Sequence, residues 1–284
     1  MVHAQRQSCT DTSTARVPSP NLSINSTLHL EALKTQITLS MGARPSLYAV
    51  LPRLFQAITA LGCRPHSTAY AISKLPLGPT CSVIDLACGK GAVSLLLAKL
   101  TGCQVLGIDA CEEFINEARE KALTMHLSRK CHFAAKVYQD LKPAPRYEVA
   151  MMIGLLPAPL AAPLIRQFVP KGGHYVVDDC IRMRAGTLRK ASKPTRRFDS
   201  SLLAQIEAAP TRDMIEDSIN SLGDSIVCYC PESTRDASRR LMVLEIQLAA
   251  NIKAILQSHP KHKATLKIYM EYQKQAALLL SGPL

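Results

Sequence analysis

From Cys81 to Asp178 the chain alternates short apolar runs with longer amphipathic stretches. Cys81–Leu86 (CSVIDL) is continuous, apolar and rich in β-branched residues, which predicts a strand buried on both faces. Gly91–Leu100 predicts a helix, Gln104–Asp109 (QVLGID) a second strand and Glu112–Ser128 a charged amphipathic helix. His132–Tyr138, Val149–Leu156 and His174–Asp178 predict three further strands, with a helix over Ala158–Phe168 between the last two. Strands and helices alternating at these lengths build βαβ units, hence a parallel sheet covered on both faces. Ligands of such sheets bind at the carboxyl ends of the strands, where strand order reverses.

The flanks carry a different pattern. Residues 1–42 are rich in Ser, Thr and Pro with weak periodicity, which predicts a poorly ordered extension. Their few acidic residues suit an organellar transit peptide, but they lack its dense Arg pattern. Ser46–Leu61 spaces apolar residues three and four apart, an amphipathic helix with Pro52 in its first turns. A loop with Pro76, Gly78 and Pro79 follows. Beyond Asp179, residues 181–198 are strongly basic, and residues 199–222 predict two short helices divided at Pro210. Asp224–Cys230 predicts a sixth strand, and two long helices close the chain, over Ser233–Ser258 and Lys261–Leu280. The expected organisation is an extension over 1–42, an α/β domain with a helical cover over 43–230, and a helical pair over 231–284 packed on that domain.

Composition adds three constraints. With 47% hydrophobic residues and no Trp, the core rests on Leu, Ile, Val, Ala and Met. The formal net charge of +12 favours acidic partners: an anionic substrate, or nucleic acid. Ten cysteines without a secretory signal, mostly inside apolar runs, predict reduced buried thiols in the cytoplasm. No C-x-x-C pair marks a metal site, so no metal is expected, and no apolar run is long enough to span a bilayer, so no membrane partner is expected.

The chemistry concentrates in two places. Asp85-Leu86-Ala87-Cys88-Gly89-Lys90-Gly91 joins the first strand to a helix start. Small residues let a ligand approach the backbone, the helix start offers free N–H groups, and a strand-end acid can accept a hydrogen bond from an ammonium group. Gly107-Ile108-Asp109-Ala110 ends the second strand, and Asp109 stands 18 positions after Gly91, where an acid can hold a ribose diol. Read singly, Asp85 also suits a helix cap and Asp109 a surface turn. A nicotinamide dehydrogenase needs a third glycine where this chain has Ser94.

With those residues in view, VIDLACGKGAVSLLLAKLTGCQVLGIDACEEFINEAREKA resembles the first half of a class I S-adenosylmethionine-dependent methyltransferase of the small-molecule type. YEVAMMIGLL and PKGGHYVVDD resemble the fourth and fifth strands of that family. The resemblance runs over residues 75–280, its specific motifs over 83–179. It implies a Rossmann-like, doubly wound, mostly parallel sheet with N-terminal and C-terminal helical additions, and S-adenosylmethionine as cofactor. Asp85, Ala87, Cys88, Gly89 and Gly91 would line the methionine moiety, Asp109 and Ala110 the ribose, and Gly154 and Leu155 the region of the sulfonium. Val137 stands where many members bind adenine with an Asp, and Asp140 would substitute. Members usually finish with a strand inserted antiparallel near the sheet edge, and no such run follows the last helix here.

The implied reaction is in-line methyl transfer to a small-molecule acceptor, with Asp179 as the candidate catalytic acid or base beside Asp178. Arg182, Arg184, Arg189, Lys190, Lys193, Arg196 and Arg197 would form a mobile basic flap near the fifth strand, which contacts nucleic acid, gates a small anionic acceptor or is simply a solvated loop. Two other readings stay open: an RNA- or protein-modifying methyltransferase, and a cofactor-binding scaffold without activity.

Overall fold

The computed structural model describes residues 1–7, 26–59, 61, 63–178 and 209–281. The elements in chain order are β1 (Val2–Gln5), α1 (Ser26–Ser40), α2 (Leu51–Leu54), α3 (Pro65–Ile72), β2 (Ser82–Leu86), α4 (Ala92–Thr101), β3 (Gln104–Asp109), α5 (Glu112–Thr124), β4 (Cys131–Ala135), β5 (Val149–Ile153), α6 (Ala158–Ile165), β6 (His174–Asp178), α7 (Arg212–Ser221), β7 (Ser225–Tyr229), α8 (Thr234–Ser258) and α9 (Lys263–Ser281). One sheet holds the seven described strands in the order β4-β3-β2-β5-β6-β1-β7. Strand order reverses between β2 and β5, so the crevice for a ligand opens at their carboxyl ends.

Two apolar clusters cover the two faces of the sheet. Val83, Val105, Met151 and Val176 point into one, with α3, α4 and α5 packed over it. Ile84, Ile108, Met152 and Val177 point into the other, under α6 and α7. Successive residues of one strand alternate between the clusters, as the period of two requires.

Where it is described, at residues 1–7 and 26–42, the N-terminal segment departs from the expectation of a poorly ordered extension over residues 1–42; residues 8–25 lie outside the described set. Residues 2–5 form β1, paired antiparallel to β6 on one side and to β7 on the other. The strand that members usually add at the carboxyl terminus is here supplied from the amino terminus. Val2 and Ala4 are buried in one cluster and Met1 in the other. Four residues show too little periodicity to announce a strand, and their partners lie far away in sequence. Around them, Asp224 gathers several elements: it accepts from Arg166 Nε at 2.7 Å, Tyr175 Oη at 2.9 Å and the Gln7 amide at 3.2 Å.

Residues 46–61 bury the predicted apolar face but do not form one helix. A 3-10 turn over Pro45–Val50 leads into the single turn of α2, and Ala57 adopts a positive φ of 59°. Leu47, Val50, Leu51, Leu54, Phe55 and Ile58 still point inward. They share a third cluster with Leu248, Ile252 and Ile255 of α8, Leu266 and Tyr269 of α9, and Phe114 of α5. The N-terminal cover and the C-terminal pair are therefore one packed cap. Asn251 fixes it by donating to the Leu54 and Gln56 carbonyls at 2.9 and 2.8 Å. The segment between cover and sheet, read as a loop, contains α3. Of the two short helices expected over 199–222, α7 is the second, and the first falls on residues outside the described set.

Candidate cofactor and acceptor site

A cavity of about 1080 Å³ lies between the carboxyl ends of β2, β3 and β5 and the helical cap. Pockets for small molecules usually measure about 300–1,000 Å³, so this one stands at the upper end of that range. Asp85, Ala87, Cys88, Gly89, Asp109, Ala110, Gly154 and Leu155, all expected from the motifs, line it.

Asp85 ends β2 and is fully buried. Its Oδ2 accepts from the Ser94 hydroxyl at 2.6 Å, while its Oδ1 has no partner among the described residues. Loss of water pushes its carboxyl up to about 7; the Ser94 hydrogen bond opposes this and the nearby Asp109 charge adds to it. A buried carboxylate oxygen left without a donor, facing a cavity, fits an ammonium group arriving from outside. Ser94, noted in the sequence only as a missing glycine, holds that carboxylate in place from the first turns of α4.

Asp109 ends β3 and reaches back to the same loop. Its Oδ2 accepts from the Gly89 amide at 2.8 Å and its Oδ1 from the Cys111 amide at 2.9 Å. Burial raises its carboxyl above the usual range, and these backbone donors pull it back. Each oxygen keeps a second lone pair for a hydroxyl. Burial likewise pushes the Cys88 thiol well up, so it stays protonated and acts as a wall.

The loop backbone is left-handed at Ala87, Gly89 and Gly91, with φ of 62°, 53° and 68°. A left-handed alanine costs roughly 1–2 kcal/mol, and glycine there gives some of this back as unfolded-state entropy. Ala87→Gly is therefore expected to raise stability by about 1 kcal/mol, read as a higher denaturant midpoint with an unchanged slope.

Two expected cofactor residues stand elsewhere. Gly91 caps α4 and does not line the cavity. A Cβ there would sit 2.7 Å from the Phe133 ring, so the glycine makes room for β4, not for a ligand. Asp140 ends an exposed 3-10 turn and is also absent from the wall. That stretch of wall comes instead from Lys136, Val137, Tyr138 and Gln139, and Gln139 is a polar group the motifs did not flag. Asp178 ends β6 outside the cavity wall, its carboxylate 3.4 Å from the Met1 amino nitrogen. Asp179 and the basic residues Arg182, Arg184, Arg189, Lys190, Lys193, Arg196 and Arg197 lie outside the described residues.

Lys90, in the middle of the loop, went unremarked in the sequence. Its side chain is fully buried; the ammonium donates to the Phe55 carbonyl at 2.7 Å and pairs with Glu117 at 2.7 Å. It also lies 5.2 Å from the centre of the Phe114 ring. One cation thus ties the ligand loop to the cap and to α5. Lys90→Met leaves the Phe55 carbonyl and Glu117 without their donor. Glu117 is a third exposed and can rehydrate, so the expected loss is about 2–3 kcal/mol. Urea unfolding of Lys90→Met and of Lys90→Met with Glu117→Leu checks this, with part of the loss recovered in the double variant.

Comparison with known proteins agrees with this fold. A family model described as "Methyltransferase domain" matches residues 83–171. YjhP of E. coli superposes with a TM-score of 0.64 at 15% identity, covering 82% of this chain and 94% of that one. A SAM-dependent methyltransferase from Geobacter sulfurreducens, crystallised with S-adenosyl-L-homocysteine, gives a TM-score of 0.61 at 18% identity over 80% of this chain and 91% of its own. Among curated sequences, the 23S rRNA (uracil(1939)-C(5))-methyltransferase RlmD of Shewanella sp. (strain ANA-3) is 36% identical over 77 residues, 27% of this chain and 17% of that protein. The chain spans less than a quarter of the length of the curated relatives it matches. Residues 83–171 thus carry a methyltransferase domain, set in the fold that S-adenosylmethionine-dependent methyltransferases share.

Proposed function

We propose that this protein transfers a methyl group from S-adenosylmethionine to a small molecule held under the helical cap. The observation that carries the cofactor reading is the unpartnered Asp85 Oδ1 at the cavity wall. Asp85 would take the ammonium group of the methionine end, and the Gly89 backbone would lie along it. Asp109 would take the ribose hydroxyls, with Ala110 beside it. Lys136 to Gln139, Gly154 and Leu155 would enclose the base and the region of the sulfonium. Bound S-adenosylmethionine supplies a methyl group already activated by its positive sulfur. What remains for the protein is to hold two reactants in line and to exclude water, and positioning alone can contribute several orders of magnitude in rate.

A small acceptor is supported by the cap, because α1, α8 and α9 stand over the same cavity. The net charge of +12 and the name of the rRNA-modifying relatives favour a nucleic-acid acceptor, but a roofed chamber suits a base inside a folded RNA poorly. Two measurements test the proposal. Asp109→Ala is expected to weaken S-adenosylhomocysteine binding by about 1–3 kcal/mol, since it removes hydrogen bonds to a charged group and loosens the Gly89 amide. Transfer of labelled methyl should appear with a panel of small molecules and not with total RNA; label entering RNA alone would reverse the choice of acceptor.

A further inference from the structure

The roof of the cavity is chemically unlike its floor. The floor carries Asp85, Asp109 and the loop backbone, while the roof presents mainly apolar groups, among them Leu33, Ile37, Leu244 and Tyr269, interspersed with uncharged polar ones such as Gln36 and Gln273. The described charged residues of the whole wall are Glu31, Asp85, Lys90, Asp109 and Lys136. Of the two cations, Lys90 is consumed by Phe55 and Glu117. Lys136 follows β4, and its amide donates to the Asp109 carbonyl on the floor side. The roof's one charge is the carboxylate of Glu31, paired with Lys34 at 2.8 Å. Burial raises the Tyr269 hydroxyl far above its ordinary range, so it stays neutral.

We infer that the acceptor subsite takes an uncharged, largely apolar molecule. The inference rests on the cofactor occupying the floor, as proposed above. An anionic acceptor, expected from the net charge, would lose its hydration against the apolar roof and meet the Glu31 carboxylate there, while the unpaired cation of the described wall, Lys136, stands exposed on the floor side. An apolar one gains from burial against aliphatic and phenolic walls, roughly in proportion to the area covered.

A matched pair of fluorescent probes tests this on the full-length protein saturated with S-adenosylhomocysteine. N-phenyl-1-naphthylamine is neutral, and 1-anilinonaphthalene-8-sulfonate is the same skeleton with one sulfonate. The neutral probe should bind at least about tenfold more tightly, because the added charge must be desolvated against a roof that offers no cation among the described residues. Ile37→Asp and Leu244→Asp, made singly at half-buried positions that tolerate polarity, should each weaken the neutral probe by roughly tenfold or more. Calorimetric affinity for S-adenosylhomocysteine should stay unchanged in both. Equal or tighter binding of the sulfonate, or neutral-probe binding indifferent to both substitutions, overturns the inference. Failure of the wild-type protein to bind S-adenosylhomocysteine overturns the cofactor reading instead, and the same calorimetry reports it separately.

Discussion

Asp85→Asn is expected to lose cofactor affinity without losing stability. The wild-type carboxyl is fully buried and sits at about 7 in the folded protein, against an ordinary value of 3.8. Between those values the folded state binds a proton that the unfolded state has released. The contribution to stability is therefore fully present below pH 4 and is lost as pH rises through about 7. Three pH units correspond to about 4 kcal/mol. Asparagine stays neutral, still accepts from Ser94, and escapes that cost at pH 8. Its amide hydrogens lack acceptors, which returns about 1–3 kcal/mol. The melting temperature at pH 8 should hold or rise. S-adenosylhomocysteine affinity should fall by roughly 10- to 100-fold, about 1.5–3 kcal/mol, because the ammonium loses its charged partner. Wild-type affinity should climb from pH 6 to pH 8 as Asp85 ionises, and the variant's should be flat. An Asn variant that binds normally, or that unfolds, would make Asp85 a structural residue.

Deleting residues 1–7 should be the most destabilising change considered. β1 is an interior strand with four register pairs on each side, and among the described residues β7 has no other neighbour in the sheet. The deletion exposes the clusters that Met1, Val2 and Ala4 close. Burial of Met and Val is worth about 1.5–3 kcal/mol each, and each lost hydrogen bond adds about 1. A loss above roughly 4 kcal/mol follows, with hydrogen-exchange protection of β7 abolished. A truncated protein of unchanged stability with β7 still protected would show that β1 is dispensable.

Asp85 and β1 mark what the sequence made legible and what it hid. Asp85 and Asp109 announce themselves because strand, loop and helix follow one another within a few residues, so periodicity and motif are read locally. The same locality found all the parallel strands. β1 was hidden because its partners are β6 and β7, and no short pattern encodes a pairing across that distance. Lys90 was hidden because a lysine is ordinarily solvated; only the fold brings Phe55 and Glu117 to it. Gly91 carried the right signal with the wrong cause, since the Phe133 ring, not a ligand, forbids a side chain there. Asp140 was the nearest acid in sequence to an expected adenine contact, but the chain turns at Tyr138–Asp140 and leaves it in solvent.

The central claim is that the floor of this cavity binds S-adenosylmethionine. Titration of the wild-type protein with S-adenosylhomocysteine in a calorimeter at pH 8 tests it most directly. The account predicts one saturable site well below millimolar ligand, with a rise in melting temperature that grows with ligand concentration. No heat of binding and no thermal shift at millimolar ligand would contradict it.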